Sequence, residues 1–362
     1  MPRACGPVRP PVGRANPRTA ARPAISGRKR RLSEPALDIV AIGNAIVDVI
    51  SQEDDSFIAE HGLTKGGMQL VDAALAELLY ADMGPAREIS GGSAANTLAG
   101  MAMLGRQCGF IGQVHEDQLG TIFAHDIRTI GIRFETPAAA DGPPTARCLI
   151  MVTPDAQRTM NTFLGASQFL PPQAVDLDMI RSARILYLEG YLWDPEQPRA
   201  AMRSAIRAAR EAGREIAFTL SDAFVIERHR EDFLRLIEEG QIDILFANEN
   251  EIRSLAQTED FEKAVAKIAP GLPTLVVTRG EKGAIAIRSG ERHTAQAAPV
   301  DRIVDTTGAG DLFAAGFLTG HIQGKTAEQC LAIGALCAGE IISHFGARPE
   351  TDLGKLVGPL LD

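Results

Sequence analysis

Aromatic side chains are scarce in this chain: three Tyr, one Trp and 14 Phe, 5% of 362 residues. A ring-lined recognition surface must be built from few of them. Tyr191 and Trp193, close behind the apolar stretch Ile185-Leu-Tyr-Leu188, can supply an aromatic face or pack in the core. Cysteine is sparse too. The five thiols, at 5, 108, 148, 330 and 337, are scattered, odd in number and without a C-x-x-C pair, which reads as free thiols in a reducing cytoplasm. No apolar run is long enough to span a bilayer. Two nucleotide loops are also missing. A Gly308-x-Gly310-x-x-Gly fingerprint fails at Phe313, which disfavours a dinucleotide-dependent redox enzyme, and a Walker A loop ending in Gly324-Lys325-Thr326 fails at Thr319.

Charge is unevenly placed. Residues 1–34 hold eight Arg, one Lys and one acid, a local +8; against −9 for the whole chain, the remainder carries −17. An acidic body argues against a nucleic-acid partner along its surface, though not against a local basic pocket for nucleotide phosphates. Residues 1–35, rich in Arg, Pro, Gly and Ala without apolar periodicity, read as a disordered basic tail. The composition resembles a transit peptide but lacks a secretory apolar core. A non-structural tail, or a start codon assigned too far upstream, is the expectation over targeting.

With 45% hydrophobic residues the chain can bury a substantial core. Its length fits two domains, or one large α/β domain with a small appendage. Ile39–Ile42 is a short apolar run closed by Gly43, as in a buried parallel strand, with Asn44 and Asp48 just beyond its end. Similar runs at 185–188, 215–219, 242–246 and 275–278 alternate with helical sequence at 197–212, 230–239 and 326–343. That alternation predicts a doubly wound, mainly parallel sheet covered by helices on both faces. Residues 65–71 and the hairpin 145–163 interrupt it.

Three stretches hold the chemistry. Val304-Asp305-Thr306-Thr307-Gly308-Ala309-Gly310-Asp311 is a small-residue turn delivering the chain into a helix start. Its glycines let backbone approach an anion, and the first helical N–H groups are unpaired at the positive end of the dipole. Asp311 at that mouth is either a helix cap or a base facing the anion. Gly91-Gly92-Ser93-Ala94-Ala95-Asn96 repeats the design, with Asn96 one turn inside the helix. Asn248-Glu249-Asn250-Glu251 follows a strand; its acids either complement a helix dipole or hold a metal. Thr278 and the turn Arg279-Gly280-Glu281-Lys282-Gly283 close another strand, as a nucleotide contact or a plain hairpin.

The octad 304–311 with Leu312-Phe-Ala-Ala-Gly-Phe317 resembles the C-terminal signature of the ribokinase-like (PfkB) carbohydrate and nucleoside kinases. The likeness covers about 36–352. It implies a ribokinase-like fold with a small β-sheet lid, roughly 50–72 and 133–165, over an α/β domain of residues 36–362. It implies Asp311 as the general base and Gly308, Ala309 and Gly310 as the anion hole. Asn44, Asp48, Gly91, Gly92, Ser93 and Asn96 would bind the acceptor. ATP would lie near Asn248, Thr278, Gly280, Gly283 and His344, though His344 is equally suited to packing. Glu251 and Asn248 would position Mg²⁺, and Asp305 with Thr307 a monovalent cation such as K⁺.

Ribokinase-type members read Gly-Gly-Lys-Gly-Ala-Asn at the second motif. Gly-Gly-Ser-Ala-Ala-Asn and the early Asn44 resemble the adenosine kinases instead. The implied reaction is ATP-dependent phosphorylation of a nucleoside 5′-hydroxyl, adenosine to AMP in purine salvage, by a cytoplasmic monomer or homodimer. A sugar kinase of the ribose or fructose type, or another nucleoside kinase of the same family, is the alternative. A catalytically silent nucleotide-binding member would lack Asp311, the glycines or the Asn-x-x-Glu pair, and none is missing.

Overall fold

The structure, a computed structural model, describes residues 1, 2, 6, 35–155 and 157–361. The anticipated basic tail otherwise lies outside the described residues. The strands are β1 (Leu37–Ile42), β2 (Ile46–Gln52), β3 (Met68–Leu70), β4 (Ala86–Gly91), β5 (Cys108–Ile111), β6 (Arg133–Phe134) and β7 (Ala146–Val152). They continue as β8 (Arg158–Phe163), β9 (Ala183–Glu189), β10 (Glu215–Thr219), β11 (Ile244–Asn248), β12 (Thr274–Thr278), β13 (Ala284–Arg288) and β14 (Glu291–Ala295). The helices are α1 (Asp55–Glu60), α2 (Ala73–Asp82), α3 (Ser93–Met103), α4 (Gln118–Thr129), α5 (Leu177–Arg181) and α6 (Glu196–Glu211). After them come α7 (Ala223–Glu238), α8 (Glu249–Ala256), α9 (Phe261–Ile268), α10 (Ala309–Ile322), α11 (Ala327–Ile341) and α12 (Leu353–Leu361).

Apolar runs with residues alternating between two covered faces make the large sheet. Its order is β14-β13-β12-β11-β10-β9-β1-β5-β6, parallel from β12 to β6 with an antiparallel hairpin at one edge. In β1, Ile39 and Ala41 join the core beneath α3, α4, α10 and α11, whereas Val40 and Ile42 join the core beneath α5 to α9. This is the doubly wound α/β fold expected. A second sheet, β3-β8-β7-β2-β4, pairs the hairpin β7–β8 with β2 and with short β3. Arg133–Phe134, read from sequence as the start of a lid segment, pairs instead with β5 of the large sheet; Phe134 is fully buried against Phe110 and Phe123. The second sheet also includes β4, which precedes Gly92 and was not anticipated in it.

The order of the large sheet positions the site. From β1 the sheet grows outward through β5 and β6 on one side and through β9 to β14 on the other. The strand order therefore reverses beside β1, and a crevice opens at the strand ends there.

Candidate active site

A cavity of about 800 Å³ opens at that crevice, lined by residues at the carboxyl ends of β9 to β12, by Asn44 beyond β1, and by side chains of β2, β3, β7 and β8. Two glycine turns feed helices into it. The first follows β4. Gly92 caps α3 with φ +98°, and a Cβ there would stand 2.3 Å from the Asn44 carbonyl oxygen; one on Gly91 would stand 2.4 Å from an Asp48 carboxylate oxygen. Only glycine lets this backbone pass between Asn44 and Asp48. The second turn enters α10 through Gly308, at φ +79°, while the space beside Gly310 is open. The first N–H groups of α10 are thus left facing the cavity without a helical partner.

The turns meet at Asp311. Ser93 Oγ donates to one carboxylate oxygen at 2.6 Å, and Asn96 Nδ2 approaches the other at 3.3 Å. The carboxylate of Asp311 is held by α3, not by the backbone of its own helix, and α10 has no side-chain cap. Burial pushes Asp311 up to about 6, against the Ser93 and Asn96 bonds and the nearby Arg348, which lower it. Burial likewise raises Asp48 to about 6, opposed by Arg348 and Arg158. Asn96 Oδ1 is buried without a hydrogen-bond partner among the described residues. This acceptor, beside two carboxylates poised near neutrality, suits a ligand hydroxyl.

On the other side of the cavity's polar lining, Asn248 and Glu251 form the capping box of α8. Asn248 Oδ1 accepts from the N–H groups of Asn250 and Glu251, while Glu251 accepts from the Asn248 N–H and Nδ2. The pair therefore stabilises its own helix start, worth about 1 kcal/mol. Glu251 nevertheless lines the cavity, buried, and burial with nearby Asp222 raises it to about 7. No group of three His, Cys, Asp or Glu side chains converges on a common point among the described residues.

Thr278 and Thr307 also line the cavity. Several expected ligand contacts do not. Gly280 and Gly283, with φ +57° and +78°, close the turn from β12 to β13, the hairpin role left open in the sequence. His344 bonds Glu340 at 3.1 Å outside the cavity. Asp305 lies behind the Gly308–Gly310 turn: one oxygen accepts from Thr307 N–H and Oγ1, and the other accepts from Gly346 N–H and is paired in charge with the Arg158 guanidinium. A monovalent ion at Asp305 would have to displace one of these partners.

Four residues that the sequence did not single out line the cavity or brace the residues that do. Glu189, at the end of β9, accepts from Asn44 N–H and Nδ2, both at 2.6 Å, and from Ala94 N–H at 2.9 Å; burial raises it to about 7. Arg158 and Arg348 bring positive charge to Asp305 and to the Gly91–Gly92 turn. Phe224, at the start of α7, lines the cavity and is 68% exposed. None carried a local signal beyond a charge at a strand end, an arginine in a loop or an apolar residue at a helix start. Of the two rings noted in sequence, Tyr191 lines the cavity. Trp193 is fully buried against Phe218 and Phe233 and donates Nε1–H to Asp232.

The pfkB family carbohydrate kinase profile matches residues 83–352, which include both glycine turns and the Asn248–Glu251 pair but not Asn44 or Asp48. A ribokinase of Arabidopsis thaliana is 30% identical over 285 residues, 75% of this chain and 72% of its own length. A solved probable sugar kinase from Rhizobium etli CFN 42 is 47% identical, with a TM-score of 0.82 over 90% of this chain and 98% of its own. The solved adenosine kinase from Sinorhizobium meliloti is also 47% identical, with a TM-score of 0.81 over 89% of this chain and 99% of its own. Motifs, fold and relatives converge: the chain belongs to the pfkB family of carbohydrate kinases and is a nucleoside or sugar kinase that phosphorylates a hydroxyl group.

Proposed function

We propose that this kinase transfers the γ-phosphoryl group of ATP to the 5′-hydroxyl of adenosine. The observation that carries the reading is the two-part lining of the cavity. Asp48, Asn96 and Asp311 offer fixed donors and acceptors to a sugar, whereas Tyr191, Phe224, Met68 and Leu70 present apolar surface to the same space, 39%, 68%, 57% and 66% exposed. A free sugar leaves that apolar surface in water. A nucleoside covers it with its base, and rings so placed contribute about 0.5–1.5 kcal/mol beyond area burial.

In this reading Asp311 accepts the hydroxyl proton. The substrate oxygen forms a bond to the γ-phosphorus as the bond from that phosphorus to the ADP oxygen breaks. Ser93 and Asn96 hold the Asp311 carboxylate in place, and a base near 6 is mostly ionised at neutral pH while still able to take a proton. Ala309 N–H donates to the Thr306 carbonyl at 3.2 Å, so the N–H groups of Gly308 and Gly310 are the ones that receive the charge of the transferring group. Glu251, the single buried carboxylate at the α8 start, fits Mg²⁺ that arrives on the nucleotide, because Mg²⁺ takes one or two protein carboxylates and fills its shell with water and phosphate. The ion would neutralise phosphate charge.

The Arabidopsis ribokinase and the Rhizobium probable sugar kinase keep a sugar acceptor as the second reading. ADP release with ATP and a panel of adenosine, other nucleosides, ribose and fructose decides between them. Adenosine should show the highest kcat/KM, and a free sugar that outcompetes it under matched conditions overturns the assignment.

A further inference from the structure

Arg348 is absent from the cavity lining, yet its guanidinium is more thoroughly engaged than that of most arginines in the chain. Nε and a terminal nitrogen both donate to the Ser90 carbonyl, that terminal nitrogen also to Ser90 Oγ at 2.9 Å, and the other to the Ala95 carbonyl at 3.2 Å. Ser90 and Ala95 flank the Gly91–Gly92 turn and the first residues of α3. Ser90 is gripped from its other side by Asp126 of α4, which accepts from its N–H at 2.8 Å and its Oγ at 2.6 Å. Among the described residues no carboxylate comes within ion-pair distance of Arg348, so its charge is bound by neutral carbonyls and a hydroxyl. Two residues earlier, Gly346 N–H donates to Asp305 at 3.0 Å, and Ala347 lies against Gly308. Three consecutive residues thus touch both glycine turns.

We propose that Arg348 is a positioning residue for phosphoryl transfer: it clamps the acceptor-side turn on both sides of Gly91–Gly92 and, through Gly346 and Ala347, ties that turn to the anion turn. The inference rests on the kinase reading of the site but not on which acceptor is used. Ser93 and Asn96, which orient Asp311, lie three and six residues beyond Ser90 on the clamped segment. A planar fork with several donors suits this task; an ammonium is a point charge.

The clamp also has an electrostatic consequence. The charged and titratable groups facing Asp311 are Arg348 from the loop, Asp48 from β2, Tyr187 and Glu189 from β9, and Tyr191 beyond it. Arg348 is the cation among them, and it lowers both Asp311 and Asp48. Without it, both carboxylates hold their protons to higher pH, and less of the ionised base is present at neutrality.

The test uses the full chain, with the best acceptor from the panel, and measures kcat, both KM values, the pH profile and Tm for Arg348→Met and Arg348→Lys. Arg348→Met should lose roughly 10- to 100-fold in kcat, the scale of a small misplacement of reacting groups. The acid limb of its profile should move to higher pH, with KM for ATP changed only a few-fold. Arg348→Lys keeps the charge without the fork. It should retain the wild-type acid limb and lose kcat. Wild-type kcat with an unmoved acid limb in Arg348→Met overturns the proposal. If that variant does not fold, wild-type kcat in Arg348→Lys overturns it. A preference for a free sugar over adenosine alters the substrate reading alone, since the same measurements are then made with that sugar.

Discussion

The two glycine turns look alike in sequence, each a cluster of small residues at a helix start, but Gly91–Gly92 and Gly310 use glycine in opposite ways. At Gly91–Gly92 the neighbourhood is full: the Asn44 carbonyl and the Asp48 carboxylate stand where Cβ atoms would be. At Gly310 the neighbourhood is empty within 4 Å. The first turn needs glycine so that protein can touch protein. The second packs Gly308 against Ala347 but at Gly310 leaves room for something that is not protein. In the proposed mechanism the close-packed turn fixes the acceptor half of the site, and the open space at Gly310 receives the phosphoryl half.

The largest expected effect falls where the turns meet. Asp311→Asn keeps the shape of the side chain but cannot take a proton, so kcat should fall roughly 10²- to 10⁴-fold. The carboxylate does not cap α10, so Tm should not drop. It can rise, because a charge is removed beside Asp48. Near-normal turnover in this variant would separate the two turns functionally and remove the base from the mechanism.

Alanine at each turn sharpens the contrast. Gly92→Ala must hold φ near +98° and push against the Asn44 carbonyl, costing at least ~1–3 kcal/mol and visible as a lower Tm. Gly310→Ala should leave Tm unchanged or raise it, since alanine is the better helix former by about 1 kcal/mol. Its methyl group enters the open space, and phosphoryl transfer should fall roughly tenfold or more. Equal melting losses in both variants would erase the distinction.

The smallest effect is one of pH, with opposite signs for activity and stability. Burial raises Asp48 and Asp311 to about 6 in the folded chain, from an ordinary aspartate value of 3.8. The folded state therefore binds more protons than the unfolded between about pH 4 and 6. The stability contributed by these groups is greatest on the acid side and declines as pH rises through that window. The proposed mechanism needs Asp311 ionised, so kcat/KM should climb through about pH 6 as Tm declines. Asp311→Asn should flatten part of the Tm slope, which scanning calorimetry at several pH values can measure.

Much of the fold was legible because its signals are contiguous. The run Ile39–Ile42, the hairpin Ala146–Phe163 and the helix entered at Ala309 follow from neighbouring residues. Other features depended on remote partners. Arg133–Phe134 looked like part of the hairpin region but joined the large sheet, because Phe134 finds Phe110 and Phe123 there. Tyr191 and Trp193 are two residues apart in one short 3₁₀ turn, and that turn sends one ring into the cavity and the other into the core. His344 suited packing as well as a ligand contact in the sequence, and its bond to Glu340, one helical turn earlier, is what the fold adds.

By itself the sequence determined the alternation of strands and helices, the positions of both glycine turns and the residue types that can carry a proton or meet an anion. These are properties of local conformation and local chemistry. Only the tertiary structure decided that Ser93 would hold Asp311 from 218 positions away, that Glu189 would fasten Asn44, and that Arg348 would brace the turn between Ser90 and Ala95. It also decided that Asp311 would titrate near 6. Burial and long-range pairing set those outcomes: a carboxylate's proton affinity depends on the water it loses and the charges it meets, and neither is written in the residues beside it.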